Sequence, residues 1–185
     1  MPSLEKRLWN ILNLARGQLL AHYLRLHRCK VGRRLKCRQV PSFRQVPRGN
    51  IQLGDSVMIG CRVTLDVAAQ GRVAVGSHVN LTQDIVISAY VGVEIGPFVQ
   101  VAEFVSIRDS DHGIDKHRHI GEQPHKSLPI KIGKDVWLGA GVRILKGALV
   151  PDGVVIGANS VVSEGSPLEP HGIYAGAPVR HLGDR

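Results

Sequence analysis

Four of the nine histidines of this 185-residue chain lie in one polar stretch, residues 108–130. An imidazole changes its charge near neutral pH, so a histidine in such a stretch is a candidate to accept a proton from a reacting hydroxyl group. A base of this kind needs a partner that orients its ring, and a nearby carboxylate or a backbone carbonyl would serve. The histidines are His112, His117, His119 and His125, and the nearby carboxylates are Glu103, Asp109 and Asp111.

The sequence on either side of this stretch carries a repeat of six. From Leu53 to Val162 an aliphatic residue recurs at every sixth position, with interruptions, and a small or β-branched residue follows four positions later. The repeat fits neither the three- and four-residue steps of a helix nor simple strand alternation. It predicts short strands joined by tight turns, with three hexads in each triangular coil and parallel pairing between coils. Glycine often follows the inward residue, which suits a corner where a side chain would collide or where φ is positive.

Composition agrees with a thin, aliphatic core. Aromatic residues make up 4% of the chain, glycine occurs 21 times, and the hydrophobic share of 43% is ordinary for one globular domain. The three cysteines are an odd number without C-x-x-C spacing, so they form neither a disulfide framework nor a recognisable zinc site and indicate a reducing compartment. They are Cys29, Cys37 and Cys61.

The first 48 residues differ from the rest in charge. They hold 12 Lys and Arg against one acid, a balance of +11, whereas residues 49–185 hold 12 against 14, a balance of −2. Apolar residues from Leu4 to Leu26 recur at helical spacing, which predicts an amphipathic helix followed by a basic linker. Such a segment fits peripheral binding to an anionic membrane, and it equally fits a cap over an open solenoid end. The predicted divisions are residues 1–48, a solenoid over 49–166 with an inserted loop at 108–130, and a tail over 167–185.

Four features in this order resemble the hexapeptide-repeat acyltransferases: the sixfold repeat, RDSDHG (108–113), IGKDVWLG (132–139) and YAGAPVR (174–180). The resemblance implies an all-β solenoid, a left-handed parallel β-helix, that assembles as a homotrimer. It implies transfer of an acetyl group from acetyl-CoA to a hydroxyl, with no metal required. Within that family the chain resembles sugar O-acetyltransferases of the maltose, galactoside and envelope-polysaccharide type, so the expected acceptor is a sugar in a cell-envelope polysaccharide or a lipid-linked glycan.

The resemblance also assigns roles to residues. His112 is the expected general base, because the family's catalytic histidine lies where such a loop leaves its coil. The Ala140 N–H is expected to stabilise the oxyanion, Asn80 to contact the acceptor, and Trp137 to line the thioester site. The family often has Lys or Arg where this chain has Glu164, which puts the phosphate contacts in question. The residues expected to bind CoA are Gly139, Ala140, Ala158, Ser163 and Arg180.

Three other functions fit parts of the sequence. His78, His112 and His117 have a spacing reminiscent of γ-class carbonic anhydrases, which hold zinc on the same kind of solenoid. Serine O-acetyltransferases share a similar tail, and a non-catalytic scaffold is a third option. The basic segment lacks the aromatic residues typical of single-strand binding, so no nucleic-acid partner is expected. The N-terminal apolar runs are too short for a membrane span, which predicts a cytoplasmic protein with or without peripheral contact to the inner membrane.

Overall fold

A computed structural model describes residues 3–185, and its body is six complete coils of a parallel β-solenoid. Each coil gives its first strand to sheet A, its second to sheet B and its third to sheet C, and strands pair in parallel with their equivalents in neighbouring coils. The predicted left-handed β-helix of hexapeptide repeats is confirmed.

The elements are short and follow the chain in regular order. Helix α1 (Leu4–Leu26) comes first. Coil 1 contains β1 (Lys30–Val31), β2 (Lys36–Cys37) and β3 (Ser42–Phe43); coil 2 contains β4 (Ile51–Leu53), β5 (Met58–Cys61) and β6 (Thr64–Val67); coil 3 contains β7 (Val73–Val75), β8 (Asn80–Gln83) and β9 (Val86–Ala89); coil 4 contains β10 (Val93–Ile95), β11 (Gln100–Val101) and β12 (Ser106–Arg108). The insertion contains β13 (Ser110–Asp111), a short 3-10 helix (Ile120–Glu122) and β14 (Lys126–Ser127). Coil 5 contains β15 (Ile130–Ile132), β16 (Trp137–Leu138) and β17 (Arg143–Ile144); coil 6 contains β18 (Leu149–Val150), β19 (Val155–Ile156) and β20 (Val161–Val162); the terminal hairpin is β21 (Gly172–Ala175) and β22 (Arg180–Asp184).

The solenoid begins one coil earlier than the sequence predicts. Strands β1, β2 and β3 pair in parallel with β4, β5 and β6, so residues 30–48 form coil 1 where the sequence indicated a basic linker. Val31, Cys37 and Phe43 occupy the inward register positions at the same six-residue spacing. The many Lys and Arg around them hide this coil from an interpretation based on hydrophobic periodicity.

The aliphatic repeat forms the core. Each inward position of the repeat from Leu53 to Val162 is at most 3% exposed. Equivalent side chains stack along the solenoid, as Leu65, Ile87 and Ile107 do in sheet C. Burial of one such side chain contributes about 1.5–3 kcal/mol, so the stack fixes the corners from which the loops project.

Glycine after an inward residue is required by close approach between coils. A Cβ at Gly60 would collide with the backbone oxygen of Thr82 in the next coil, although Gly60 has no positive φ. The positive φ at this corner belongs to Arg62 (52°), and to Asp84 (53°) and Phe104 (61°) in the following coils. Of the two reasons for glycine that the sequence suggested, the collision is the one that applies at Gly60.

Helix α1 closes the N-terminal end of the solenoid, as one of the two interpretations of this segment predicts. The helix approaches coil 1 so closely that a Cβ at Gly17 would collide with the backbone oxygen of Leu35. Within residues 3–185, no helix combines the length and the apolarity that crossing a bilayer requires. The helix residues buried against the solenoid are Asn13, Gly17, Leu20, Ala21 and Leu24.

Candidate functional site

The insertion between β12 and β15 is a short antiparallel ribbon, where the sequence indicated an irregular loop. Strands β13 and β14 pair so that Asp111 lies opposite Lys126. His112 and His125 are the next opposed residues in this register, and their ring centroids are 4.6 Å apart. The ribbon therefore holds two imidazoles together where it leaves coil 4.

The tip of the ribbon, residues 113–124, is stabilised by polar contacts. The Gln123 side chain is 8% exposed and accepts a hydrogen bond from the Asp115 N–H at 2.7 Å. It also donates to the carbonyl oxygens of Asp115 and Arg118, both at 2.9 Å. His117 and His119 lie exposed in this tip, so the tip keeps its shape through one buried amide and without an apolar cluster.

His112 is exposed at the edge of a polar cleft of about 440 Å³. The ribbon forms one wall of the cleft. The other wall is a column of outward side chains at equivalent positions of coils 1 to 4, Arg44, Asp66, Ser88 and Arg108. A cleft that is open to solvent and lined by hydroxyls and both signs of charge can admit a polar molecule to the imidazole.

Asp109 is fully buried, with 0% of its surface exposed. Its carboxylate accepts hydrogen bonds from the backbone N–H groups of Tyr90, Val91 and Gly92, each at 2.7 Å. The carboxylate therefore fixes the turn that follows coil 3. Because its oxygens are used in this way, Asp109 is not the partner that orients His112.

In the part of the chain that the structure describes, neither of the other two nearby carboxylates makes a hydrogen bond to the His112 ring. Asp111 pairs with Lys146, with 3.4 Å between Oδ2 and Nζ. Glu103 lies at the corner between sheets B and C, between β11 and β12. Within residues 3–185, His112 makes no side-chain hydrogen bond, and its ring contacts the ring of His125.

His125 lies between two other rings. Its centroid is 4.6 Å from that of His112 and 4.7 Å from that of Tyr90. From the sequence alone, the base is assigned to His112, and neither His125 nor Tyr90 has a role of its own. A signal was present, because SDH (110–112) and HKS (125–127) pair serine with serine and aspartate with lysine when the strands run antiparallel.

The residues predicted to hold a thioester lie at a different corner, between sheets B and C. Gly139 and Ala140 in coil 5 adjoin Ala158 in coil 6, and the Ala140 carbonyl accepts a hydrogen bond from the Asn159 N–H at 2.8 Å. Within the described chain the Ala140 N–H has no acceptor, and the small side chains leave this backbone partly exposed. A backbone donor of this kind can stabilise an oxyanion.

Asn80 and Trp137 occupy equivalent outward positions of sheet B. In the parallel register Asn80 neighbours Gln100, and Gln100 neighbours Trp137, so the two predicted residues are two coils apart. Trp137 is 55% exposed and Asn80 is half-buried. Both side chains are thus available on an open sheet face.

Ser163 and Arg180 lie near the C-terminal end of the solenoid. Ser163 follows β20 at the end of sheet C, and its N–H donates to the Ser166 hydroxyl at 3.0 Å. Arg180 begins β22 at the edge of sheet B and is exposed, as is Glu164. One chain therefore distributes the predicted site residues over two corners and one sheet face and does not bring them into a single pocket.

The three histidines that suggested zinc do not gather in one chain. His78 lies at the corner between sheets A and B and stacks on Phe98, with ring centroids 4.9 Å apart. His112 and His117 lie in the insertion that follows β12, the sheet C strand of coil 4. Within residues 3–185, no three His, Cys, Asp or Glu side chains are grouped so that they could hold a metal ion.

The clearest pKa shifts lie away from His112. Arg62 donates two hydrogen bonds of 2.6 Å to Asp84, which lowers the pKa of Asp84 and raises that of Arg62. Burial raises the pKa of the Cys37 thiol to about 11, so this group stays protonated at neutral pH. The Arg62–Asp84 pair joins coils 2 and 3, and Cys37 fills the core of coil 1. None of the three lines the cleft at His112.

Comparison with known proteins assigns the family. The model described as bacterial transferase hexapeptide (six repeats) matches residues 129–164. WbbJ of Escherichia coli K12, named as a lipopolysaccharide-biosynthesis O-acetyltransferase, is 31% identical over 140 residues, which are 71% of this chain and 70% of WbbJ. The chain belongs to the hexapeptide-repeat acyltransferases. The expected family is thus confirmed, and with it the expected class of enzyme, an acyltransferase.

Two further similarities agree with this membership. A Mycobacterium tuberculosis protein named as an acetyltransferase is 34% identical over 136 residues, 73% of this chain but 44% of that protein. This chain therefore spans less than half the length of that relative. A variant of AntD, an N-acyltransferase from Bacillus cereus in complex with dTDP and coenzyme A, has the same fold, with a TM-score of 0.71 at 23% identity over 84% of each chain.

Proposed function

We propose that this chain transfers an acetyl group from acetyl-CoA to a hydroxyl of a sugar, with His112 as the general base. The observation that carries the proposal is the exposed imidazole at a polar cleft, on a ribbon that projects from an acyltransferase scaffold. A hydroxyl is a weak nucleophile until a base removes its proton, and His112 is an imidazole that lines this cleft.

In the proposed reaction the protein moves one proton and stabilises one oxyanion. His112 accepts the proton of the acceptor hydroxyl while that oxygen attacks the thioester carbonyl carbon. The Ala140 N–H donates a hydrogen bond to the oxyanion of the tetrahedral intermediate. When the carbon–sulfur bond breaks, His112 returns the proton to the leaving sulfur. The products are an ester and free CoA, and the proton balance closes without a metal ion.

The corner between sheets B and C suits the CoA chain. Ala140 and Ala158 leave backbone groups partly uncovered, which can pair with the amides of the pantetheine arm, while the buried Gly139 keeps the corner free of a side chain. Arg180 is an exposed cation for a phosphate group, and Ser163 adds a hydroxyl. Glu164 brings negative charge beside Ser163, which makes Arg180 the main phosphate contact in this proposal.

We further propose that the complete site forms between two chains of a homotrimer. In one chain His112 follows β12, the sheet C strand of coil 4, whereas Ala140 precedes β17, the sheet C strand of coil 5. The two residues therefore lie at opposite ends of the sheet C strands. A neighbouring copy that packs against this face brings its own corner to the ribbon, as a head-to-tail contact in a closed ring does. In this arrangement Asn80 contacts the acceptor and Trp137 lines the thioester site, both from the adjoining face of sheet B.

The acceptor we propose is a sugar hydroxyl of a cell-envelope polysaccharide or lipid-linked glycan. Support comes from the name of WbbJ, which refers to lipopolysaccharide biosynthesis. It also comes from the cleft, because Ser110 and the charged side chains Arg44, Asp66 and Arg108 can form hydrogen bonds with a polar acceptor. A serine acceptor would make fewer contacts in a cleft of this size.

The function is tested by the release of free CoA from acetyl-CoA with a panel of acceptors: hexoses, nucleotide sugars, lipid-linked sugars and serine. We expect release that depends on a sugar and a mass increase of one acetyl group on that sugar. Release with serine alone, or none with any acceptor, would contradict the proposal. The His112→Gln variant lacks the proposed base, so it is the control for CoA that is released from acetyl-CoA without catalysis.

The two-chain site is tested by mixing two inactive variants. His112→Ala lacks the base, and Ala158→Trp fills the corner where CoA is expected. In randomly mixed trimers about a quarter of the sites combine an intact histidine with an intact corner, so co-expression should restore about that fraction of wild-type activity. A site contained in one chain predicts no recovery. Light scattering checks that each variant has the mass of a trimer.

We also propose that the outward face of α1 binds an anionic membrane. This face lies opposite the face buried on coil 1, so the helix is apolar on two sides. Leu4 is 75% exposed and Leu19 is 71% exposed. The apolar outward residues are Leu4, Leu8, Ile11, Leu12, Ala15, Leu19 and Leu26.

Charge favours a lipid surface over a second copy of the helix. The outward face is flanked by Arg7 and Arg25, and coil 1 behind it carries further exposed basic residues. Two such faces would bring like charges together, whereas anionic headgroups would neutralise them. Membrane contact would place the enzyme beside lipid-linked acceptors.

Substitutions test this face better than truncation, because removal of α1 would uncover the core of coil 1. We expect the triple variant Leu8→Gln, Ile11→Gln, Leu19→Gln to bind vesicles containing phosphatidylglycerol at least about tenfold more weakly than the wild type. Its unfolding temperature should be unchanged. Unaltered vesicle binding, or a changed oligomeric mass, would contradict a membrane role for this face.

A further inference from the structure

Three rings form a row that ends at the proposed base. Tyr90 contacts His125 with centroids 4.7 Å apart and planes at 35°, and His125 contacts His112 at 4.6 Å and 42°. Separations from about 4.5 to 7 Å with tilted or offset planes are the favourable range for aromatic pairs. The row therefore has the geometry of an attractive stack rather than of a chance approach.

Both ends of the row are attached to rigid parts of the fold. Tyr90 follows β9, and its N–H donates to the buried Asp109 carboxylate at 2.7 Å. The pairing of β13 with β14 sets His112 and His125 opposite each other. Coil 3 thus supports Tyr90, Tyr90 supports His125, and His125 limits the rotation of the His112 ring.

A general base loses effect when its ring turns away, so enzymes commonly hold it with a hydrogen-bonded partner. Here the nearest carboxylates are used by backbone N–H groups and by Lys146. We propose that His125, backed by Tyr90, is the positioning residue of His112 and orients it by ring contact in place of a carboxylate. This inference rests on the proposed role of His112 as the base.

Three substitutions at His125 separate ring contact from other roles. We expect His125→Ala and His125→Leu to lower kcat by about threefold to tenfold with an acceptor KM within about twofold of wild type. His125→Phe restores a flat ring without a titratable nitrogen, so it should return kcat to near the wild-type value. Leucine restores volume but no ring, which makes it the matched control for packing alone.

Two further variants complete the experiment. Tyr90→Phe should keep kcat, whereas Tyr90→Ala should lower it as His125→Ala does. His119→Ala, an exposed histidine in the tip of the same ribbon, should leave kcat unchanged. The His125 and His119 variants should unfold at the wild-type temperature, because the ribbon contributes little to the core.

The outcomes distinguish this inference from the proposed function. Wild-type kcat in His125→Ala, together with an inactive His112→Ala, would overturn the positioning role and leave the base intact. A His125→Phe variant as inactive as His112→Ala would also overturn it, because His125 would then be moving protons itself. Full activity in His112→Ala would remove the proposed base, whatever His125 does.

Discussion

The coils and the insertion are stabilised in opposite ways. Inward side chains of the coils are aliphatic and at most 3% exposed from Leu53 to Val162. Between β12 and β15 the buried residues are Asp109, Gly113 and Gln123, none of which contributes an aliphatic side chain. Ile114 and Ile120 in the same segment are 77% and 57% exposed. The hydrophobic effect builds the solenoid, whereas a few hydrogen bonds shape the ribbon.

Stability and chemistry are therefore separated in this chain. A repeat that buries every inward side chain tolerates an excursion at one corner, because neighbouring coils stay paired on both sides of it. The excursion is free to carry polar groups that a core would exclude. Substitutions in the two regions should therefore affect different measurements.

The largest loss of stability is expected in the coils. Ile59 is 1% exposed and stacks between Cys37 and Leu81 in sheet B, so Ile59→Ala leaves a cavity. We expect a decrease of about 2–5 kcal/mol in the free energy of unfolding, measured by chemical denaturation, with kcat retained below the transition. Gln52→Ala, an exposed change in the same coil, should stay within about 0.5 kcal/mol. A large fall in kcat for the folded Ile59→Ala protein would contradict the separation.

Asp109 is where the two regions meet, so Asp109→Asn should affect both measurements. The amide has one acceptor oxygen in place of two and turns a donor toward backbone N–H groups. We expect a loss of about 1–3 kcal/mol in the free energy of unfolding and a decrease in kcat, because Tyr90 and the ribbon lose their common support. A change in only one of these two quantities would show that the ribbon and the coil are not coupled through this carboxylate.

The smallest effect is expected at the surface of the coils. Hydrogen bonds from Arg62 lower the pKa of Asp84 in the folded chain. The ionised pair therefore stabilises the fold above the unfolded carboxyl pKa of about 3.9, and this stabilisation is lost as the pH falls through the lower folded value. The difference in unfolding temperature between the wild type and Asp84→Asn should shrink below about pH 4. If this difference in unfolding temperature stays constant at pH values down to and below the folded pKa of Asp84, the stabilisation does not come from the ionised Arg62–Asp84 pair.

The fold could be predicted from sequence wherever the repeat is aliphatic. Coils 2 to 6 follow directly from the spacing of residues such as Leu53, Ile59 and Leu65. Coil 1 was missed because Cys37 and Phe43 interrupt the aliphatic pattern within a strongly basic segment. For α1, periodicity identified an apolar face, and that face is the one exposed to solvent. The face buried on coil 1 contains Asn13 and Gly17, which periodicity assigns to no core.

The candidate site was predictable in its parts but not in its arrangement. His112 and Ala140 were identified through resemblance to a family, and their separation within one chain depends on the three-dimensional path of the coils. His125 was missed because its contact with His112 requires the register of the ribbon, which hydrophobic spacing does not encode. The assignment of Asp109 to a buried turn likewise depends on the neighbouring coil.

The most direct test of the account is the turnover of His112→Ala with acetyl-CoA and the accepted sugar, measured beside its unfolding temperature and oligomeric mass. We expect kcat to fall by about 100-fold or more, while the unfolding temperature and the mass match the wild type. Turnover near the wild-type rate in a correctly assembled variant would contradict the claim that the ribbon carries the base.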